Sequence, residues 1–167
     1  SRGLGDVYKR QPYYNMGIIL KRNGRVEEAI NHYKKAISLK SDYVQAYNNL
    51  GVLYKDGKKY ESAITMFTTA KDLQPDHQNS YYNLALIKKE QGLDEEAIEL
   101  LLKVIDLNPD HSEAKYDIAL IKKDSGLLIE AKKYLQEILR SDGENENAVI
   151  SLAKVFIEMG NINNAIN

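Results

Sequence analysis

Apolar and small residues return along this chain with two periods at once. Over short stretches they recur every three or four residues, as in Tyr13, Met16, Gly17 and Leu20, and again in Ala29, Tyr33 and Ala36. That spacing places them on one face of an α-helix. Over longer distances the whole pattern returns every 34 residues. A slide of that length brings Ala29, Ala63, Ala97, Ala131 and Ala165 onto one position. It also superimposes Met16, Leu50, Leu84, Ile118 and Leu152, and beside them Gly17, Gly51, Ala85, Ala119 and Ala153. No insertion or deletion is needed. A fixed period of this size predicts stacked supersecondary units that share a continuous core.

Each period holds two helical stretches with punctuation between them. Pro12 suits the first turn of the opening helix, where its missing N–H has no partner to lose. Gly24 is expected to stop that helix in the left-handed conformation. Glu27 and Glu28 then open the second helix at its positive dipole end. Pro75 ends the next pair, and Asp76 offers a side-chain cap to the helix that follows. Gly92, Pro109 and Gly126 punctuate later units, and Ser141-Asp142-Gly143 replaces a proline turn. Residues 1–9 fall outside the pattern and are set aside as a non-native or disordered tail. The fifth unit stops soon after Ala165 without a polar capping helix, so the chain is expected to be a fragment of a longer array.

The unit Val44–His77 resembles the tetratricopeptide repeat, a helix–turn–helix of 34 residues. Counted from Val44, position 4 is Tyr47, 7 is Leu50, 8 is Gly51, 11 is Tyr54, 20 is Ala63, 24 is Phe67, 27 is Ala70 and 32 is Pro75, and all eight suit that family. The resemblance covers units 10–43, 44–77, 78–111 and 112–145 and a partial unit 146–167. Departures grow towards the C-terminus: Lys88 and Lys122 replace the aromatic at 11, Val104 and Ile138 the alanine at 27, and Gly143 the proline. The resemblance implies an all-α, right-handed solenoid of antiparallel helix pairs.

Composition narrows the function more than the fold. With 43% hydrophobic and 28% charged residues and a net charge of −1, the chain suits one soluble module, expected in the cytoplasm. There is no cysteine, so disulfides and thiolate metal sites are excluded. No apolar run reaches the roughly 18–20 residues of a membrane span. Charge is uneven: residues 10–43 carry seven Lys/Arg against three Asp/Glu, and residues 78–111 carry three against seven. Without a sustained basic stripe, nucleic acid is not an expected partner. His32, His77 and His111 form no metal-binding spacing, and no phosphate-binding glycine loop or nucleophile elbow is present. Neither cofactor nor catalysis is expected.

Binding has the better case. In the family, first helices line a concave groove, with positions 2, 5, 9, 12 and 13 pointing into it. Position 5 reads Tyr14, Asn48, Tyr82, Tyr116 and Ile150; position 9 reads Ile18, Val52, Leu86, Leu120 and Lys154. Position 12 reads Lys21, Lys55, Lys89, Lys123 and Ile157; position 13 reads Arg22, Asp56, Glu90, Asp124 and Glu158. Position 6 adds Asn15, Asn49 and Asn83, then Asp117 and Ser151. An amide both donates and accepts, so such a ladder can pair with a peptide backbone or tie neighbouring helices together. It is similar to the asparagine ladder in the repeat superhelix of O-linked N-acetylglucosamine transferase. The family's carboxylate clamp for chaperone tails needs basic residues that neither register supplies: Tyr14, Ile18, Asn49, Asn79 and Asn83 in one, Asn48, Val52, Asn83, Glu113 and Asp117 in the other. The expectation is a scaffold that binds an extended peptide through Tyr14, Asn15, Ile18, Lys21, Asn48, Asn49, Val52, Lys55, Tyr82, Asn83, Leu86, Lys89, Tyr116, Leu120 and Lys123. The alternatives are the substrate-recruiting region of a larger glycosyltransferase, and a structural spacer.

Overall fold

The computed structural model describes residues 2–160, with side chains from residue 10. Nine helices and no strand occur among the described residues: α1 (Arg2–Arg22), α2 (Val26–Leu39), α3 (Val44–Asp56), α4 (Tyr60–Leu73), α5 (Gln78–Glu90), α6 (Asp94–Leu107), α7 (Ser112–Asp124), α8 (Leu128–Ser141) and α9 (Glu146–Glu158). The packing divides after Ile87 into two compact units. In the first, α1 packs on α2, α2 on α3 and α3 on α4; in the second, α6 packs on α7, α7 on α8 and α8 on α9. Ala165 and the start of the fifth repeat's second helix lie outside the described residues.

Two features of the first repeat depart from the sequence reading. The α1 backbone is helical from Arg2, so it runs through the stretch set aside as a tail. Pro12 therefore lies inside a 21-residue helix and not in a first turn. Its ring nitrogen cannot donate, which leaves one helical hydrogen bond unmade there.

The turns inside the repeats share one backbone solution. Gly24 has φ 72°, and its N–H donates to the Lys21 carbonyl while that of Arg25 donates to the Leu20 carbonyl. These paired bonds satisfy carbonyls that the helix end leaves open. Gly92 and Gly126 repeat the arrangement with φ 71° and 77°. In the second repeat the glycine sits one residue early, at Gly57, and Lys58 takes the left-handed conformation at φ 55°. The first helices start differently. The His111 ring Nδ1 accepts from the Ala114 N–H at 3.2 Å, and Asn145 Oδ1 from the Ala148 N–H at 3.0 Å. His77 holds the equivalent place before α5, with Nδ1 2.8 Å from Ser80 Oγ. Asp76, expected as that cap, falls one residue too early.

The cores are built on a size match between two helix positions. A β-carbon added at Gly17 would lie 2.6 Å from the Tyr33 ring, and one at Gly51 would lie 2.6 Å from the Phe67 ring. Tyr33 and Phe67 are both fully buried, so neither ring can retreat. Where the aromatic gives way to Leu101 and Leu135, the glycine becomes Ala85 and Ala119.

Three outcomes are expected in urea unfolding. Gly51→Ala lowers stability by about 1–2 kcal/mol, overpacking outweighing the gain in helix propensity. Adding Phe67→Leu recovers part of that loss, so the double variant is more stable than the two single effects added together predict. Lys58→Gly raises stability by about 0.5–1 kcal/mol, because only a side chain makes the left-handed conformation costly.

Candidate functional site

Helical periodicity carries positions 5, 9 and 12 to one side of each first helix, and the structure shows what they meet. In the first unit Tyr14 is half-buried and its hydroxyl accepts from Asn49 Nδ2 at 3.1 Å. Tyr14 also lies against the rings of Tyr33 and Tyr43, with centroids 5.9 and 4.9 Å away. Lys55 Nζ donates to Asn83 Oδ1 at 3.1 Å, and Asn83 Nδ2 donates to the Asn79 carbonyl at 2.9 Å. Asn15 is exposed and accepts from Gln11 at 2.9 Å. Ile18, Val52, Tyr82 and Leu86 are half-buried. Asn48 differs from its column: it is buried, and its Oδ1 has no partner among the described residues.

The second unit repeats the scheme with different chemistry. Lys89 Nζ lies 2.6 Å from Asp117 Oδ1, and Asp117 is buried. The Tyr116 hydroxyl bonds with Ser151 Oγ at 2.9 Å. Lys123 pairs with the adjacent Asp124 at 3.1 Å, and Leu120 is half-buried beside them. From Asn49 onward, each position-6 side chain is therefore bonded to position 5 or 12 of the repeat before it. Sequence reading identified these columns, and gave the tying of neighbouring helices as one role for position 6, but not these partners. Its signal is a spacing of 35 residues for the tyrosine partner and 28 for the lysine partner.

A recess of about 330 Å³ opens in the first unit, lined by Ile18, Lys21, Arg22, Tyr33 and Asn49. The Tyr33 hydroxyl is buried and makes no hydrogen bond among the described residues, although the Asn49 amide is close by. Burial pushes its pKa up to about 12, helped by neighbouring Tyr14 and opposed by Asn49. Burial also raises the Tyr14 hydroxyl, and the Asn49 hydrogen bond offsets part of that rise. Tyr33 was read from the sequence only as a core residue.

Three family models match the chain: one described as TPR repeat over residues 17–57, and two described as tetratricopeptide repeat over residues 42–110 and 112–145. The chain belongs to the tetratricopeptide repeat family. No curated protein matches its sequence significantly. Among solved structures, a crystal structure of MamA protein is similar at TM-score 0.82 and 22% identity, covering 94% of this chain and 86% of that one. MamA 41-end from Desulfovibrio magneticus RS-1 is similar at TM-score 0.83 and 20% identity, covering 95% and 89%. YrrB, described as a TPR protein with an unusual peptide-binding site, is similar at TM-score 0.74 and 23% identity, covering 92% and 79%. These likenesses support the all-α helix-pair fold.

The raised tyrosine hydroxyls give a pH dependence with a definite sign. A tyrosine whose folded pKa exceeds its unfolded value of about 10 keeps its proton longer in the fold. Its contribution is complete below that value and is lost as pH rises through the folded pKa. Melting temperature is therefore expected to fall between about pH 10 and 12, with a shallower fall in Tyr33→Phe. Thermal melts of both proteins across that range check this.

Proposed function

We propose that this chain is a non-catalytic protein-interaction scaffold that holds an extended peptide segment against its first helices. The observation that carries this reading is the half-buried state of the aromatic and aliphatic columns. Tyr14, Ile18, Val52, Tyr82 and Leu86 in the first unit, and Tyr116 and Leu120 in the second, keep accessible surface on the helices whose other faces form the cores. Tyrosines offer rigid contact area with little conformational freedom to lose. Asn49 spends one amide hydrogen on Tyr14, and an amide has a second hydrogen and an acceptor to offer a peptide backbone. Asn83 is more heavily used, since Lys55 and the Asn79 carbonyl already engage both ends of its amide. The description of YrrB as peptide-binding is in keeping with this reading.

The test compares an Asn15/Asn49/Asn83→Ala variant with a wild-type-like control altered on exposed second-helix positions. Each lost backbone-directed bond is expected to weaken peptide binding by about 0.5–1.5 kcal/mol. Affinities are read by calorimetry against peptides selected on the wild-type chain, at a temperature where both proteins are folded by circular dichroism. Equal affinity in the folded triple variant means that the amides only join repeats, and the ladder's role in binding is wrong.

A further inference from the structure

The lysine column is not uniform. Lys55 is held by Asn83, Lys89 by Asp117 and Lys123 by Asp124. Lys21 makes no ion pair among the described residues, and Asn49, its position-6 counterpart in the next repeat, is a neutral amide bonded to Tyr14. The next column reinforces the difference: the first repeat has Arg22 where the others have Asp56, Glu90, Asp124 and Glu158. Arg22 also forms no ion pair among the described residues. Both cations line the recess together with Tyr33, whose hydroxyl is buried and unpartnered among the described residues. Buried hydroxyls in folded proteins are almost always hydrogen-bonded. This repeat also carries seven Lys/Arg against three Asp/Glu.

We propose that the recess at the C-terminal end of α1 is a subsite for an oxyanion of the bound peptide, a carboxylate or a phosphate. Lys21 and Arg22 flank the anion, with the guanidinium offering a fork that suits two oxygens. The Tyr33 hydroxyl donates to it from the floor, and Ile18 supplies an apolar wall. Selectivity for an acidic or phosphorylated ligand thus resides in one repeat, since the remaining lysines already have partners. The proposal rests on the peptide-binding reading, and it also predicts binding of the anion alone.

The experiment titrates the full chain with inorganic phosphate and, separately, with glutarate at constant ionic strength, following backbone amide resonances. Saturable shifts concentrated at Ile18–Arg22 and Asn49 are expected. A stronger response to phosphate points to a phosphoryl source, and a stronger response to glutarate to a carboxylate. Lys21→Gln/Arg22→Gln is expected to weaken binding about tenfold, and Tyr33→Phe about fivefold, while exposed Lys34→Gln/Lys35→Gln leaves it unchanged. Shifts spread evenly over the lysines, no response at the recess, or equal binding in the recess variants would overturn the subsite. Peptides selected by display on the wild-type chain separate this proposal from the broader one. Neutral binders indifferent to Lys21→Gln/Arg22→Gln remove the subsite and keep the peptide groove. Phosphate or glutarate binding as expected, with no peptide selected, keeps the subsite and removes the groove.

Discussion

The tightest constraint in this protein is the closeness of two helices at a point with no room for a methyl group. At Gly17 and Gly51 the backbone meets a buried aromatic ring directly, and a β-carbon would stand 2.6 Å from it. The distance between paired helices is fixed there, and with it the rotation of each first helix. That rotation decides which residues enter the core and which remain for a ligand. Tyr33 shows the dependence: one edge of its ring packs on Gly17, while the residue also lines the recess.

Position 6 connects architecture with recognition. A side chain that bonds to the preceding repeat cannot move independently of it, so amides and carboxylates there fix how consecutive repeats meet within each unit. The bond is made by Tyr14 with Asn49, by Lys55 with Asn83, by Lys89 with Asp117 and by Tyr116 with Ser151. The partner is a phenol in the first and last of these bonds and an ammonium in the two between, and this changes the surface. At Asn49 the phenol takes the bond, and Lys21 of the phenol's repeat makes no ion pair among the described residues; at Asp117 the ammonium takes it, and Lys89 is neutralised in place. The residue at position 6 and the partner it takes therefore contribute to the charge that a ligand meets.

Most of the fold could be read from the sequence because its determinants are local and repeated. Alanines at position 20, small residues at position 8 and glycines at the turns mark core and punctuation directly, and the helices lie where that pattern puts them. The failures come from effects that no column displays. Lys58 adopts the left-handed turn because the paired bonds to Lys55 and Tyr54 hold the backbone there whatever the residue. His111 caps a helix through a ring nitrogen, a donor-acceptor group that a search for Ser, Thr, Asp or Asn overlooks. Asn48 interrupts a tyrosine column and is buried. The recess was invisible because it needs the absence of partners around Lys21 and Arg22 together with a cavity beside Tyr33, and both are properties of three-dimensional arrangement.

The paired-bond turn also bears on how such a chain can lengthen. It closes with one defined set of dihedrals, and a single extra residue would break both bonds and swing the following helix off its partner. A whole repeat brings its own turn, its own small-to-large match and its own position-6 side chain. Duplication of a complete unit therefore adds a ready-made interface, whereas a short insertion ruins one. The unbroken 34-residue register from the first repeat to the last is what gene growth by copying entire modules leaves behind.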